Sequence, residues 1–137
     1  MDMVIEQICE VFSEAQSITL HRDGKVERFV CGDATFEVIL DGFEKTIEGA
    51  RQMPAFGVSL DNDTREAMKM GLWVEFTFKN TLFCNEMPFE RLLIEVRAES
   101  QGINIARYNA TAGYHGRCFF LDLNGTMSDF YKLINEI

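Results

Sequence analysis

The 137-residue sequence lacks several features that would place it in a functional class directly. No apolar run approaches the roughly 20 residues that a membrane-spanning helix needs, so no membrane association is expected. Basic residues do not cluster, and 13 Lys and Arg stand against 22 Asp and Glu, for a net charge of −9. Because nucleic-acid backbones are bound by grouped Lys and Arg, no nucleic-acid partner is expected.

Motifs for metal and phosphate chemistry are also missing. The sequence contains no C-x-x-C, no H-E-x-x-H, and neither of the glycine-rich phosphate motifs G-x-x-x-x-G-K-[ST] and G-x-G-x-x-G. The acids of "DNDTRE" at residues 61–66 lack the glycine and the final glutamate of a calcium loop, so we interpret them as a helix cap. We therefore predict no metal and no cofactor.

The N-terminus has no basic segment followed by an apolar stretch, so no secretory signal is expected. Four cysteines are scattered along the chain at positions 9, 31, 84 and 118. Dispersed cysteines in a protein that is not secreted are usually reduced and buried as small apolar groups. We therefore expect a cytoplasmic protein.

What the sequence does contain is typical of one globular domain. Its hydrophobic content is 47% and its charged content 26%, and twelve Phe supply large buried surfaces. Residues 1–137 are therefore interpreted as a single domain with a self-sufficient core.

Apolar residues recur at helical spacing in three segments, which predicts helices over about 2–15, 34–52 and 127–136. An N-terminal hairpin is predicted over 17–31, because Asp23-Gly24 between two β-like runs favours a type I′ turn. Residues 55–60 resemble a short strand, and 61–70 a short helix.

From residue 71 onward the apolar residues alternate, which predicts an antiparallel meander over 71–123. Turns are expected at 98–102 and at 109–113. The fold class is therefore predicted to be α+β, with a mainly antiparallel sheet covered on one face by helices.

Strand parity assigns side chains to the two faces of this meander. One face should pack on the helices and be inaccessible; it includes Leu92, Tyr108, Tyr114 and Cys118 together with Val74, Phe76, Ile94, Val96, Ala106 and Phe120. The opposite face mixes apolar, polar and charged groups, namely Leu93, Ile103, Ile105, Phe119, Leu121, Trp73, Glu75, Thr77, Lys79, Glu95, Arg97, Arg107, His115 and Arg117. We expect Glu75, Glu95 and Arg97 to keep their charged ends in water.

The second set of residues allows three interpretations. The charged groups can be a solvated ladder of ion pairs, in which Glu75 and Glu95 pair with the arginines. Alternatively, Trp73, Arg107, His115 and Arg117 form a recognition surface, since Trp and Arg often anchor interfaces. A third possibility is a small-molecule pocket in which the arginines bind an anion.

These interpretations lead to competing functions. We favour a non-catalytic interaction module that uses its acidic surface and this sheet face, with a protein partner or a second copy of itself in a homodimer. An anion- or small-ligand-binding domain using Arg107, His115 and Arg117 is the alternative. An enzyme is a second alternative and would need Cys84 next to His115.

Overall fold

An antiparallel sheet with helices on both faces organises the chain. The computed structural model describes residues 5–54, 60–84 and 86–137. Its helices are α1 (Ile5–Ser13), α2 (Ala34–Ile47), α3 (Asp61–Ala67) and α4 (Ser128–Asn135). Its strands are β1 (Ala15–Arg22), β2 (Lys25–Val30), β3 (Arg51–Met53), β4 (Leu72–Cys84), β5 (Met87–Glu95), β6 (Gly102–Asn109) and β7 (Gly113–Asp122). The predicted α+β class is confirmed.

The seven strands in these ranges form one sheet in the order β2-β1-β4-β5-β6-β7-β3, with antiparallel neighbours throughout. The predicted meander is β4 to β7, and the predicted N-terminal hairpin extends it by pairing β1 with β4. Both expectations are confirmed.

The Asp23-Gly24 turn joins the N-terminal hairpin to the rest of the sheet. Both residues have positive φ, 50° and 85°, as a type I′ turn requires. The Asp23 carboxylate accepts a hydrogen bond from the backbone N–H of Gly71 at 2.8 Å, and the Asp23 N–H donates to the Gly71 carbonyl at 2.9 Å. The hairpin turn is thereby fixed to the residue that precedes β4.

Helices α1, α2 and α4 pack against one face of the sheet, which we call the helix face. Four phenylalanines meet at its centre, one from each of these helices and Phe76 from β4. The ring centroid of Phe12 lies 4.6 Å from that of Phe43 and 4.7 Å from that of Phe76, and the Phe43 and Phe130 centroids are 5.8 Å apart. All four rings are almost wholly inaccessible. Phe76 is therefore core, as predicted.

Helix α2 ends earlier than predicted. It stops at Ile47, although it was predicted to reach residue 52, and residues 51–53 form β3 at the edge of the sheet next to β7. Gly49 has a φ of +75°, and the chain leaves the helical direction there. Glycine adopts this conformation without the steric strain that a Cβ would cause. Helix α1 likewise stops at Ser13, and Ala15 already belongs to β1. Helix α4 agrees with its prediction to within a residue or two.

Two predictions lie outside the described residues. They concern most of the short strand expected at 55–60 and the side chain of Phe119. The short helix expected at 61–70 is confirmed as α3.

The face assignment of β6 is wrong. Ile103 and Ile105 join the helix-face core, whereas Ala106 packs on the opposite face with Leu93 and Tyr114. The observed register places Leu92 opposite Arg107, one residue away from the register assumed. Gly102, assigned to the turn, is the first residue of β6. A slip of one residue turns every side chain of a strand to the other face.

Strand β7 departs from simple alternation. Its pairing with β6 shifts between Asn104 and Ala106 and again between Ala106 and Tyr108, and each shift adds one residue to β7. Such bulges let side chains three apart share a face. Tyr114, Arg117 and Phe120 therefore stand opposite Tyr108, Ala106 and Asn104 on the face away from the helix layer. Tyr114 and Phe120 had been assigned to the helix face, and Leu121, assigned to the other face, is core.

No helix in the described ranges is both long enough and apolar enough to cross a membrane.

Candidate functional site

The face opposite the helix layer, which we call the outer face, is partly covered by α3. Asp61, the first residue of α3, connects this helix to β7 by accepting a hydrogen bond from the backbone N–H of Tyr114 at 2.9 Å. The same carboxylate accepts from Arg65 Nε at 2.9 and 3.0 Å. The Tyr114 N–H and then Arg65 hold the pKa of Asp61 below its usual range. Asp61 was interpreted as a helix cap, but it makes no capping hydrogen bond and instead holds α3 on the sheet.

Under α3 the outer face contains a buried polar cluster around Glu75. The phenol of Tyr114 donates a hydrogen bond to Glu75 Oε2. Two basic groups approach Glu75 Oε1, with His21 Nε2 at 3.5 Å and Arg91 at 3.8 Å. Glu75 is only 3% exposed, so the expectation that its charged end stays in water is wrong. Tyr114 covers the carboxylate, and the guanidinium of Arg91 partly compensates its charge.

The electrostatics of this cluster favour a neutral tyrosine. Burial, followed by the negative charge of Glu75, raises the pKa of Tyr114 well above its usual range. Its ring is held from two sides, because the Arg65 guanidinium lies 5.3 Å from the ring centroid and the Tyr108 ring packs at 4.9 Å. Arg91 in turn stacks on Tyr108 at 4.2 Å. Each ring and charge of this cluster therefore contacts another member of it, and the cluster packs beside the neighbouring cleft.

Beside this cluster lies a cleft of about 350 Å³ between α3 and strands β4 to β7. Its floor is apolar, with Leu93 and Ala106 both buried. Aromatic rings stand at Trp73 and Phe120, and Asp63 and Thr64 of α3 contribute polar groups. The charged lining on the sheet side is Glu95, Arg97 and Arg117.

Two local features shape the aromatic walls. The Trp73 indole N–H donates to the Met70 carbonyl at 2.9 Å, which fixes the orientation of the ring. Gly102 makes room for the other wall, since a Cβ there would lie 2.2 Å from the Phe120 ring. A glycine at this position therefore lets Phe120 lie against the β6 backbone.

The three charged groups on the sheet side of the cleft are not equivalent. Glu95 and Arg97 form an ion pair at 3.8 Å, and both side chains are more than 40% exposed. Arg117 is half-buried, makes no ion pair with any described residue, and has a buried Nε–H without a hydrogen-bond partner in that part of the chain. A buried donor left unpaired costs free energy, so a group that accepts from Arg117 would be bound favourably.

The structure brings together four of the seven residues predicted for the site. Trp73, Glu95, Arg97 and Arg117 line one cleft. Glu75 belongs to the neighbouring polar cluster. Arg107 does not share this face, because the register of β6 places it opposite Leu92 of the helix-face core.

His115 is exposed and does not line this cleft. Glu75 and Glu95 were expected to pair with Arg97, Arg107 and Arg117, and only the Glu95–Arg97 pair is found among the described residues. Glu75 neighbours Arg91 and His21 instead, so its expected pairing is wrong.

Four residues of this region, Asp61, His21, Arg91 and Tyr114, were not among the predicted site residues. Each acts across a long sequence separation, as in the Asp61–Tyr114 and Tyr114–Glu75 hydrogen bonds. Only Gly116 carried a local signal, since glycine within a strand often marks a bulge. Its φ of +80° confirms a break in the regular geometry of β7.

Comparison with known proteins adds no assignment: no family model, no curated protein and no solved structure matches this chain. Within the described ranges, no three His, Cys, Asp or Glu side chains converge as a metal site would require.

Proposed function

We propose that this protein is a small-ligand-binding domain, and that its ligand is a small anionic molecule held in the outer-face cleft by Arg117. The unpaired, buried Nε–H of Arg117 at the wall of that cleft is the observation that carries the proposal. Arginine presents planar, forked donors that match a carboxylate or phosphate, and it stays charged in a partly buried site.

The shape of the cleft supports a ligand with an apolar or planar part. Its volume of about 350 Å³ is at the lower end of the range for small-molecule sites. Trp73 and Phe120 supply ring surfaces, and Leu93 and Ala106 supply an apolar floor. The anionic end would meet Arg117 while the remainder packs between the rings.

The carboxylates around the cleft determine which of its cations can bind the anionic group of a ligand. Arg97 already neighbours Glu95 at the exposed rim, so its charge is partly compensated. Arg107 is on the helix face and cannot contribute. Arg117 is therefore the cation of the described lining with no carboxylate next to it, although two positions, Arg107 and His115, had been expected to share its role.

Trp73 offers a direct test, because it is the only tryptophan of the chain and lines the cleft. Benzoate is titrated at constant ionic strength while Trp73 emission is recorded, with uncharged benzamide as the matched probe. We expect a saturable change with benzoate and a much weaker response to benzamide. Arg117→Gln should weaken benzoate binding about 10- to 100-fold, the effect of losing a charge-assisted hydrogen bond.

Arg28→Gln is the matched control variant, because Arg28 is an exposed arginine on the edge strand β2, which four other strands of the sheet separate from β7. It should bind benzoate as the wild type does. An unchanged affinity in Arg117→Gln, or no saturable response of the wild type to benzoate, acetate or inorganic phosphate, would contradict the proposal.

A protein-interaction function is the second candidate, and the edge strand β2 favours it. Val26 is 62% exposed and Val30 41% exposed, on a strand that has a neighbour on one side only among the described strands. A second copy of the chain pairing along β2 would complete the backbone hydrogen bonds of that edge. Sedimentation equilibrium of wild type and Val26→Lys would test it: a dimer that dissociates in the variant supports the homodimer, and a wild-type monomer contradicts it.

The remaining expectations about partners and location stay proposals. The net charge of −9 argues against nucleic acid as the ligand of either site. We also keep the proposal of a cytoplasmic protein with no membrane partner, supported by the unbridged thiols of Cys84 and Cys118.

A further inference from the structure

The cleft on the outer face is lined by carboxylates as well as by arginines. Its charged groups are two arginines, Arg97 and Arg117, and two acids, Asp63 and Glu95, so the described lining carries no net charge. A ligand that is only an anion would meet Arg117 and, in the same small space, two carboxylates that repel it. The charges of the lining therefore favour a ligand that carries both signs.

Asp63 is the carboxylate that remains available to such a ligand. Glu95 already has Arg97 as a neighbour at 3.8 Å. Asp63 is exposed and forms no ion pair with any described residue, although two arginines line the same cleft. Arg117 on the sheet side is likewise without an ion pair in the described part of the chain. A carboxylate and a guanidinium thus line one cleft of about 350 Å³ without neutralising each other.

The position of Asp63 depends on how α3 is held on the sheet. Two residues earlier in this helix, the Asp61 carboxylate accepts a hydrogen bond from the Tyr114 N–H at 2.9 Å. Gly113 permits this close approach, since a Cβ there would lie 2.3 Å from Asp61 Oδ1. Arg65 binds the same carboxylate and lies over the Tyr114 ring. The first turn of α3 is therefore fixed to β7, and Asp63 is held at the cleft.

The uncharged part of the lining adds a third requirement. Leu93 and Ala106 form a buried apolar floor, and Trp73 and Phe120 present aromatic rings. An apolar side chain of the ligand can pack there while its charged groups stay near the rim. The Trp73 ring also offers a face on which an ammonium group is stabilised.

We infer that the ligand of this cleft is a zwitterion with a carboxylate and an ammonium on the same carbon and an apolar side chain, as in an aromatic amino acid. Its carboxylate accepts from Arg117, its ammonium lies next to Asp63, and its side chain packs over the apolar floor. The inference rests on the proposed function, because Arg117 binds the carboxylate in both. It adds Asp63 as the residue that determines which carboxylates are preferred.

Three probes that share a phenyl ring and differ in charge test this inference. L-Phenylalanine carries both charges, hydrocinnamate only the carboxylate, and phenethylamine only the ammonium. Each is titrated against the full-length protein at neutral pH and constant ionic strength, with Trp73 emission as the readout. We expect phenylalanine to bind about fivefold more tightly than hydrocinnamate, the upper end of the effect of an exposed ion pair. Phenethylamine should bind most weakly, because it leaves Arg117 without an acceptor.

Asp63→Asn should remove this preference while keeping the shape of the side chain. The affinity for phenylalanine should fall about fivefold, and the affinity for hydrocinnamate should not fall. Glu66→Gln is the matched control variant, because it makes the same change in net charge on the same helix. Glu66 pairs with Lys69 and does not line the cleft, so both affinities should stay unchanged. Arg117→Gln should weaken both ligands, because both contain the carboxylate.

The outcomes separate this inference from the proposed function. If hydrocinnamate binds through Arg117 but phenylalanine binds no more tightly, the zwitterion is wrong and the anion site stands. The same conclusion follows if Asp63→Asn weakens both ligands equally. Equal binding of phenethylamine and phenylalanine would also overturn the inference, since the carboxylate would then contribute nothing. If neither carboxylate binds, both proposals fail.

Discussion

The helix face and the outer face of the sheet are built by the same strands but are filled in different ways. At the centre of the helix face, rings of Phe12, Phe43 and Phe76 interlock. On the outer face Glu75 is buried with Tyr114, and a cleft remains open beside them. Apolar packing needs no direction, whereas a buried carboxylate must meet its partners in a defined geometry. The comparison indicates that one face mainly supplies stability and the other a shaped, polar surface.

Arg107 and Arg117 repeat this contrast at the scale of single residues. They stand on paired strands but on opposite faces, Arg107 on the helix face and Arg117 in the cleft that Trp73 and Phe120 also line. Each has a buried Nε–H without a partner among the described residues. The same type of side chain therefore lies in the interior on one face and at the wall of an open cleft on the other.

The largest effect on stability is expected from the helix face. Phe76→Ala should lower the free energy of unfolding by about 3–5 kcal/mol, because it removes a ring that packs against Phe12 and Phe43 and leaves a cavity. Urea denaturation measures the change. Phe83→Ala on the same strand is the control, and because Phe83 is 67% exposed it should cost under about 0.5 kcal/mol. Equal losses in the two variants would show that the face assignment of β4 is wrong.

The outer face should contribute less, through its polar cluster. Glu75→Gln keeps the shape of the side chain but removes the charge that Tyr114, His21 and Arg91 approach. We expect a loss of about 1–3 kcal/mol, the range for hydrogen bonds to buried charged groups. Glu95→Gln, which affects only an exposed pair with Arg97, should change stability by less than about 0.5 kcal/mol. If Glu75→Gln left the free energy of unfolding unchanged, the cluster would not stabilise the fold.

Much of this fold could be predicted from the sequence, because long alternating runs and short turns leave few antiparallel arrangements. The alternation of Val74, Phe76 and Phe78 in β4 placed these side chains on the helix face, where they are buried. The Asp23-Gly24 turn could also be predicted from the sequence, since few dipeptides tolerate two positive φ values. These features are decided locally.

The candidate site could be predicted only in part, because it depends on register and on distant partners. One residue in the turn before β6 decided whether Arg107 or Ala106 faced the outer side. Two extra residues in β7 place Tyr114, Arg117 and Phe120, which are three residues apart in sequence, on the same face. A simple alternation of side chains does not predict this arrangement. Glu75 looked like a surface residue because its partner Tyr114 is 39 residues away. Nothing local distinguishes a buried carboxylate from an exposed one.

A subtler change should detach α3 from the outer face. Asp61→Ala removes the acceptor for the Tyr114 N–H and the partner of Arg65, so the amide of Tyr114 should exchange with deuterium faster while amides of the helix-face core keep their protection. Asp63→Ala in the same helix is the control. The pKa of Asp61 is lowered in the folded state, so this contribution is present above its unfolded pKa and is lost as pH falls through the folded one. Unchanged exchange of Tyr114 at neutral pH would contradict this role.

The smallest effect is a pH dependence that belongs to Tyr114 alone. Its pKa is raised in the folded state, so both folded and unfolded chains keep the phenol protonated below about pH 10. Above that pH the unfolded chain ionises first, and the stabilising effect of the protonated phenol is progressively lost. The difference in unfolding free energy between wild type and Tyr114→Phe should therefore shrink by about 1 kcal/mol between pH 8 and pH 11. Urea titrations of both proteins measure it, with Tyr131→Phe, a half-buried tyrosine of α4, as the control. A difference in unfolding free energy that stays constant over this range would show that Tyr114 ionises as readily in the folded chain as in the unfolded one. The outer face would then lack the buried phenol, held next to a carboxylate, that distinguishes it from the helix face.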